Sequence, residues 1–96
     1  MNPKLLRLPD VVAATGCGIT KVYDDVQKGV LPPPIKRDRS SFWPADEIGA
    51  VVAARIAGKT DDEIRALVAE MVAARPQVLS SFLAARRGIA ANEAAA

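Results

Sequence analysis

The spacing of apolar residues along the chain predicts several short helices in its first half. A first helix of about two turns begins at Leu8 and stops before Gly16. After a glycine turn at residues 16–18, apolar residues recur at i, i+3, i+4 and i+7, which predicts one buried stripe on a second helix. The stripe consists of Ile19, Val22, Tyr23 and Val26. The order of helix, glycine turn and helix is typical of a helix-turn-helix motif.

A small β-hairpin is predicted next. Three prolines at positions 32–34 exclude both a helix and a central strand, so a new element begins after them. Ile35 and Trp43 are apolar ends around the polar turn Arg37-Asp38-Arg39-Ser40, which is the pattern of a short hairpin. We call residues 35–43 the wing.

Three further helices follow the wing. Pro44 suits the first turn of a third helix, whose predicted buried face is Ile48, Val51, Val52 and Ile56. Thr60 and Glu63 form a capping box for a fourth helix, with a stripe at Ile64, Leu67, Val68, Met71 and Val72. Beyond Pro76, a last helix ends in Arg86-Arg87-Gly88, with apolar residues at Val78, Leu79, Phe82 and Leu83.

These elements predict a mostly α fold, a winged helix-turn-helix with a small β-hairpin wing and additional C-terminal helices. Residues 1–57 form the winged domain, residues 58–88 form a helical extension, and residues 89–96 are expected to be a frayed, disordered tail because they have little to bury. The stripe within residues 76–87 has two interpretations. It either folds back onto the core or contacts a second copy of the chain.

Composition excludes most catalytic sites. The chain has no histidine and a single cysteine, Cys17, so we expect no His-based catalysis, no metal site, no cofactor and no intrachain disulfide. We therefore expect a protein that is not an enzyme. Charged residues interrupt every apolar run that approaches membrane-spanning length, and no signal peptide is recognisable. These features predict a protein of the reducing cytoplasm.

Positive charge is concentrated in the N-terminal half. Residues 1–43 hold seven bases and four acids, whereas residues 44–75 hold four bases and six acids. Two groups of polar side chains are the candidates for binding an anionic partner. On the outer arc of the second helix they are Thr20, Lys21, Asp24, Gln27 and Lys28. On the wing they are Lys36, Arg37, Arg39, Ser40 and Ser41.

Three segments resemble a known family. "LLRLPDVVAATG" is similar to the opening helix of AlpA-like, excisionase-type regulators related to the MerR winged helices. "KVYDDVQKGVLPPPIK" resembles their recognition helix and Gly-x-x-Pro linker, and "FWPADEI" their Trp-initiated third helix. The start of the second helix departs from the family pattern, because Cys17-Gly18-Ile19 lacks the usual serine cap. Asp24 also stands where these proteins commonly have a base.

The resemblance implies sequence-specific binding to double-stranded DNA, at an attachment site or a promoter of a prophage or integrative element. The protein would act as an excisionase, a recombination directionality factor, or as a transcriptional regulator of integrase or excision genes. Integrase is then an expected partner, self-association on DNA through residues 76–87 is a further one, and the nucleoid is the expected location. The alternative is a winged-helix adaptor that binds another protein and not DNA.

Overall fold

The computed structural model describes the backbone of residues 3–95 and the side chains of residues 3–87. Over this range the chain is mostly helical, with a small antiparallel sheet. The elements are β1 (Leu5–Leu6), α1 (Leu8–Thr15), α2 (Ile19–Lys28), β2 (Ile35–Arg37), β3 (Ser40–Pro44), α3 (Ala45–Ile56), α4 (Asp61–Ala73) and α5 (Arg75–Ala95). The predicted fold class is confirmed: α1 and α2 form the helix-turn-helix, β2 and β3 form the wing, and α4 and α5 are the additional helices.

Local sequence signals set several helix ends. Gly16 and Gly29 both adopt the left-handed conformation, with φ of 72° and 79°, and end α1 and α2 where the pattern predicts. The predicted capping box of α4 is present, since Glu63 N–H donates to Thr60 Oγ1 at 3.2 Å and Thr60 N–H donates to Glu63 Oε1 at 3.0 Å. These ends need no long-range contact, which explains why sequence alone locates them.

One core connects the helices to the sheet. Its members are each no more than 5 % exposed and come from α1, α2, β3, α3, α4 and residues 30–34, which we call the proline segment. They are Val11, Val22, Val30, Leu31, Trp43, Ile48, Val51, Ile64 and Val68. Trp43 is fully buried, and its indole Nε1 donates a hydrogen bond to the Pro32 carbonyl at 2.9 Å. The indole therefore fixes the proline segment against β3 without leaving a buried donor unpaired.

The sheet has a third strand that the sequence pattern does not predict. β1 pairs antiparallel with β3, with Leu5 opposite Pro44 and Leu6 opposite Trp43, so the strand order is β1-β3-β2. Two residues are too few to show strand alternation, and their partner lies almost forty positions later in the chain. This pairing ties the chain's start to the base of the wing.

Three residues predicted for buried stripes are exposed instead. Ile19 is 57 % exposed and Tyr23 39 % exposed on α2, and Ile56 is 82 % exposed at the end of α3. Helical periodicity identifies the side of a helix that is apolar, but a short helix buries only the part of that side that a neighbour covers. On α2 the buried part is centred on Val22 and Val26.

The two C-terminal helices, α4 and α5, differ in how they pack against the core. α4 belongs to the same compact unit as the winged domain, because Ile64 and Val68 are core residues. α5 leaves the core: Val78 and Leu79 are 50 % and 64 % exposed. The prediction that this helix ends at Gly88 is corrected, since the backbone is helical to Ala95. The backbone of residues 89–95 continues α5, and alanine is the residue that most favours helix.

A buried ion pair anchors the start of α5. Glu47 on α3 is only 7 % exposed, and Arg75 meets it with two hydrogen bonds of 2.9 and 2.7 Å. Arg75 also donates to the Pro33 carbonyl at 2.8 Å. One guanidinium thus joins α5, α3 and the proline segment, and this paired geometry offsets the cost of burying the carboxylate.

Candidate nucleic-acid interface

The turn between α1 and α2 is built from glycine backbone and one threonine. Gly16 supplies the left-handed residue, and the Thr15 hydroxyl donates to the Val11 carbonyl at 2.8 Å. Thr15 Oγ1 also accepts a hydrogen bond from the Cys17 N–H at 3.3 Å. Gly18 caps α2 with extended backbone and no side-chain bond, so the missing serine is not replaced by another side chain. The turn sets the direction of α2 relative to α1.

All five residues predicted on the outer arc of α2 reach solvent. Thr20, Lys21, Gln27 and Lys28 are exposed, and Asp24 is half-buried. At about 100° per residue they lie opposite Val22 and Val26. The arc has two edges. Gln27 lies at the edge beside Tyr23, whereas Lys21 lies at the edge beside Asp25.

The two lysines of this arc are paired with acids of the same helix. Lys21 Nζ lies 2.9 Å from an Asp25 carboxylate oxygen and 3.8 Å from one of Asp24. Lys28 Nζ lies 2.8 Å from Asp24. The hydrogen bond with Asp25 is the main cause that raises the pKa of Lys21, and the hydrogen bond from Lys28 is the main cause that lowers the pKa of Asp24. The outer face of α2 is therefore polar but close to neutral.

The wing carries more positive than negative side chains. β2 and β3 pair with Lys36 opposite Ser41 and Arg37 opposite Ser40, and the Lys36 ammonium donates to the Ser41 hydroxyl. Asp38, with φ of 55°, takes the left-handed position of the tight turn, where Asp is among the tolerated residues. Arg39 follows it, exposed in the turn. Three cations and one acid give this hairpin a net positive charge.

Strand pleating divides the wing cations between two faces. Directly opposed residues share a face and successive residues alternate, so Lys36 and Ser41 lie on the Trp43 side of the sheet. Arg37 lies on the other side, with Phe42. There the Arg7 guanidinium sits 5.7 Å from the centre of the Phe42 ring. Sequence reasoning missed Arg7, because only the unpredicted strand β1 brings it to the wing.

An aromatic contact joins α2 to the wing. The rings of Tyr23 and Trp43 have centroids 6.3 Å apart and an interplanar angle of 56°. Tyr23 is therefore 39 % exposed on α2 while its ring contacts Trp43 at the base of β3. Tyr23 borders the Gln27 edge of α2, and Trp43 shares its face of the sheet with Lys36.

The fold is that of the winged helix-turn-helix class, with a polar outer face on α2 and a hairpin of net positive charge. No family model matches the chain, and no curated protein or solved structure matches it. Over the described residues, no group of three or more His, Cys, Asp or Glu side chains is placed to hold a metal ion. None of the helices described here is long and apolar enough to cross a membrane.

Proposed function

We propose that this chain binds double-stranded DNA sequence-specifically, with α2 in the major groove and the wing against the neighbouring backbone or minor groove. The observation that supports the proposal is the contact between Tyr23 on α2 and Trp43 at the base of the wing, a hairpin with excess positive charge. A helix of ten residues presented on the surface fits the width of a major groove.

The two elements contribute differently to binding. The wing, with Lys36, Arg37 and Arg39, supplies most of the attraction to phosphates, because its cations outnumber its acid. On α2, Thr20 and Gln27 offer hydrogen-bonding groups to base edges without an ion pair to break. Lys21 and Lys28 contribute only after they exchange their aspartate partners for phosphate.

The biological role that we propose follows from the resemblance to AlpA-like and excisionase-type proteins. The chain would act in a prophage or integrative element, as a recombination directionality factor or as a regulator of integrase or excision genes. Its DNA sites would be attachment sites or promoters, and integrase would be a partner there. The protein would then work at the nucleoid in the cytoplasm.

A random-sequence duplex library tests the proposal. We expect repeated rounds of binding and amplification to enrich one motif, and fluorescence anisotropy on that duplex to show affinity that falls steeply with salt. The double variant Lys36→Ala/Arg39→Ala should bind at least about tenfold more weakly, with a salt slope smaller by about 2, because each phosphate contact releases counterions.

A matched control removes the same charge elsewhere. Lys4→Ala/Lys59→Ala also deletes two exposed cations, neither of which lies in the wing or on α2. This control should bind within about twofold of wild type, since distant exposed charges are largely screened at physiological salt. Failure to enrich any motif, or an equal loss in both double variants, would contradict the proposed surface.

A protein-binding adaptor is the second candidate, and one observation favours it. An open apolar groove of about 430 Å³ lies between the outer face of the sheet and the start of α5. Its lining includes Leu5, Ile35, Pro44 and Val78. Exposed apolar grooves of this kind mark contact sites for other proteins. An adaptor would bind neither heparin nor duplex DNA, whereas a DNA-binding protein would bind both with salt-sensitive affinity.

A further inference from the structure

A second cleft lies between α2 and α3, on the opposite edge of α2 from the wing. It has a volume of about 510 Å³, within the range of small-ligand sites in proteins. Lys21, Asp25 and Lys28 of α2 form one wall. Residues from the end of α3 and the start of α4 form the other. We call this the α2–α3 cleft.

The floor of the cleft is apolar. Val30, Leu31 and Val51 belong to the core and line the cleft from below, and Val52 is partly buried beside them. Ile56 lies at the rim and is 82 % exposed, a large apolar side chain that no neighbour in the described chain covers. A ligand with an apolar body gains free energy by covering both the floor and Ile56.

Three cations and two acids line the rim of the cleft. The cations are Lys21, Lys28 and Arg55, the acids are Asp25 and Asp61, and Lys28 must exchange its partner Asp24 to bind a ligand. Arg55 Nη1 donates to Asp61 at 2.7 Å, and this hydrogen bond is the main cause that lowers the pKa of Asp61. Within the described residues only this nitrogen of Arg55 is hydrogen-bonded, so the guanidinium keeps donors for a second acceptor.

From this geometry we propose that the α2–α3 cleft is a binding site for a small amphipathic anion, with its apolar body on the valine floor and its acid group between Lys28 and Arg55. Carboxylate, sulfonate and phosphate groups share the required chemistry, because each accepts charge-assisted hydrogen bonds from both cations. Lys28 belongs to α2, so an occupant would also compete with DNA phosphates for it. This second part rests on the proposed function.

The anionic dye 1-anilinonaphthalene-8-sulfonate is a suitable probe, because it joins an aromatic body to one sulfonate. We expect saturable fluorescence enhancement on titration into the full chain. Two variants at the exposed Ile56 test the charge requirement. Ile56→Glu should raise the Kd at least about tenfold relative to Ile56→Lys, since the two variants place opposite charges at the rim of the cleft, next in sequence to Arg55.

Two controls isolate the cleft and the charge. N-phenyl-1-naphthylamine, the neutral parent of the dye, should bind more weakly and respond equally to the two Ile56 variants. Val78→Glu adds an acid at the separate apolar groove and should leave the anionic dye's Kd unchanged. Equal dye affinity for Ile56→Glu and Ile56→Lys would overturn the site, as would loss of binding in Val78→Glu.

A further pair of measurements separates this site from the proposed function. With the duplex selected above, saturating dye should weaken DNA binding by the wild type and have little effect on Ile56→Glu. If the dye binds but DNA affinity is unchanged, the competition is overturned and the site stands. If no duplex is bound at all, the proposed function and the competition fail together, and dye binding alone decides the site.

Discussion

Single residues of α2 decide how much of its charge is available to a partner. The helix holds two lysines and two aspartates, and the short contacts among them leave its outer face nearly neutral. Helical spacing predicts that Lys21, Asp24 and Lys28 share one polar arc, and their exposure agrees with that. It did not identify the pairing, because an arc fixes which side chains are neighbours but not which rotamers they adopt.

Replacing Asp24 by asparagine should strengthen DNA binding. The change removes the acid that holds Lys28 at 2.8 Å and leaves a neutral group of the same shape. We expect affinity for the selected duplex to rise about fivefold at low salt, because one Coulomb repulsion with phosphate disappears and one lysine is released. Anisotropy titrations of both proteins at several salt concentrations measure the difference.

Asp62→Asn is the matched control for this substitution. Asp62 is 94 % exposed and pairs with Arg65 on α4, so it has the same charge chemistry away from the proposed surface. Its replacement should change affinity much less than that of Asp24. A similar gain in both variants would indicate a general effect of net charge and would contradict the role assigned to Asp24.

At the scale of elements, one ion pair holds the start of α5 against α3. Arg75 fastens the helix to Glu47 and to the Pro33 carbonyl, and Pro76 stands in its first turn, where the missing N–H has no cost. Sequence analysis identified Pro76 as a break between two helices. It had no signal for the partner of Arg75, which lies 28 positions earlier.

Arg75→Ala should destabilise the fold strongly. It leaves the 7 % exposed Glu47 carboxylate without its partner, and breaking a buried pair in this way costs about 3 kcal/mol in the free energy of unfolding. The double variant Glu47→Leu/Arg75→Leu should recover most of that loss, because no charge is then left buried. Urea unfolding followed by circular dichroism measures both, and a single variant as stable as wild type would refute this role.

Besides the α2–α3 cleft, the described residues present the surface of α2 and the wing, the outer sheet groove and the apolar side of α5, and Val78 belongs to the last two. The apolar side of α5 bears on self-association, which we propose takes place through residues 76–87. Val78 and Leu79 are exposed, while Phe82 and Leu83 are half-buried. The Arg86 guanidinium lies 6.0 Å from the centre of the Phe82 ring, and Arg87 is a second cation next to it in the sequence.

Val78→Glu/Leu79→Glu tests this self-association. Charges in an apolar contact oppose its formation, so the variant should remain monomeric at concentrations where wild type associates, either alone or on DNA. Analytical ultracentrifugation with and without the selected duplex distinguishes the two cases. Wild type that is monomeric in both conditions would contradict the proposal. Ser80→Glu/Ser81→Glu, which adds the same charge at exposed polar positions, is the matched control.

Sequence alone determined the elements whose signals are local. Glycines at positions 16 and 29, the Thr60 capping box and the i, i+3, i+4 spacing all act within about one turn of helix, so they hold whatever the rest of the chain does. The tertiary structure decided everything that depends on distant partners. It paired β1 with β3, left Ile19, Tyr23 and Ile56 uncovered, and brought Arg7 to the wing and Arg75 to Glu47. Those outcomes depend on which surfaces meet when the chain closes, and no pattern within a short window contains that information.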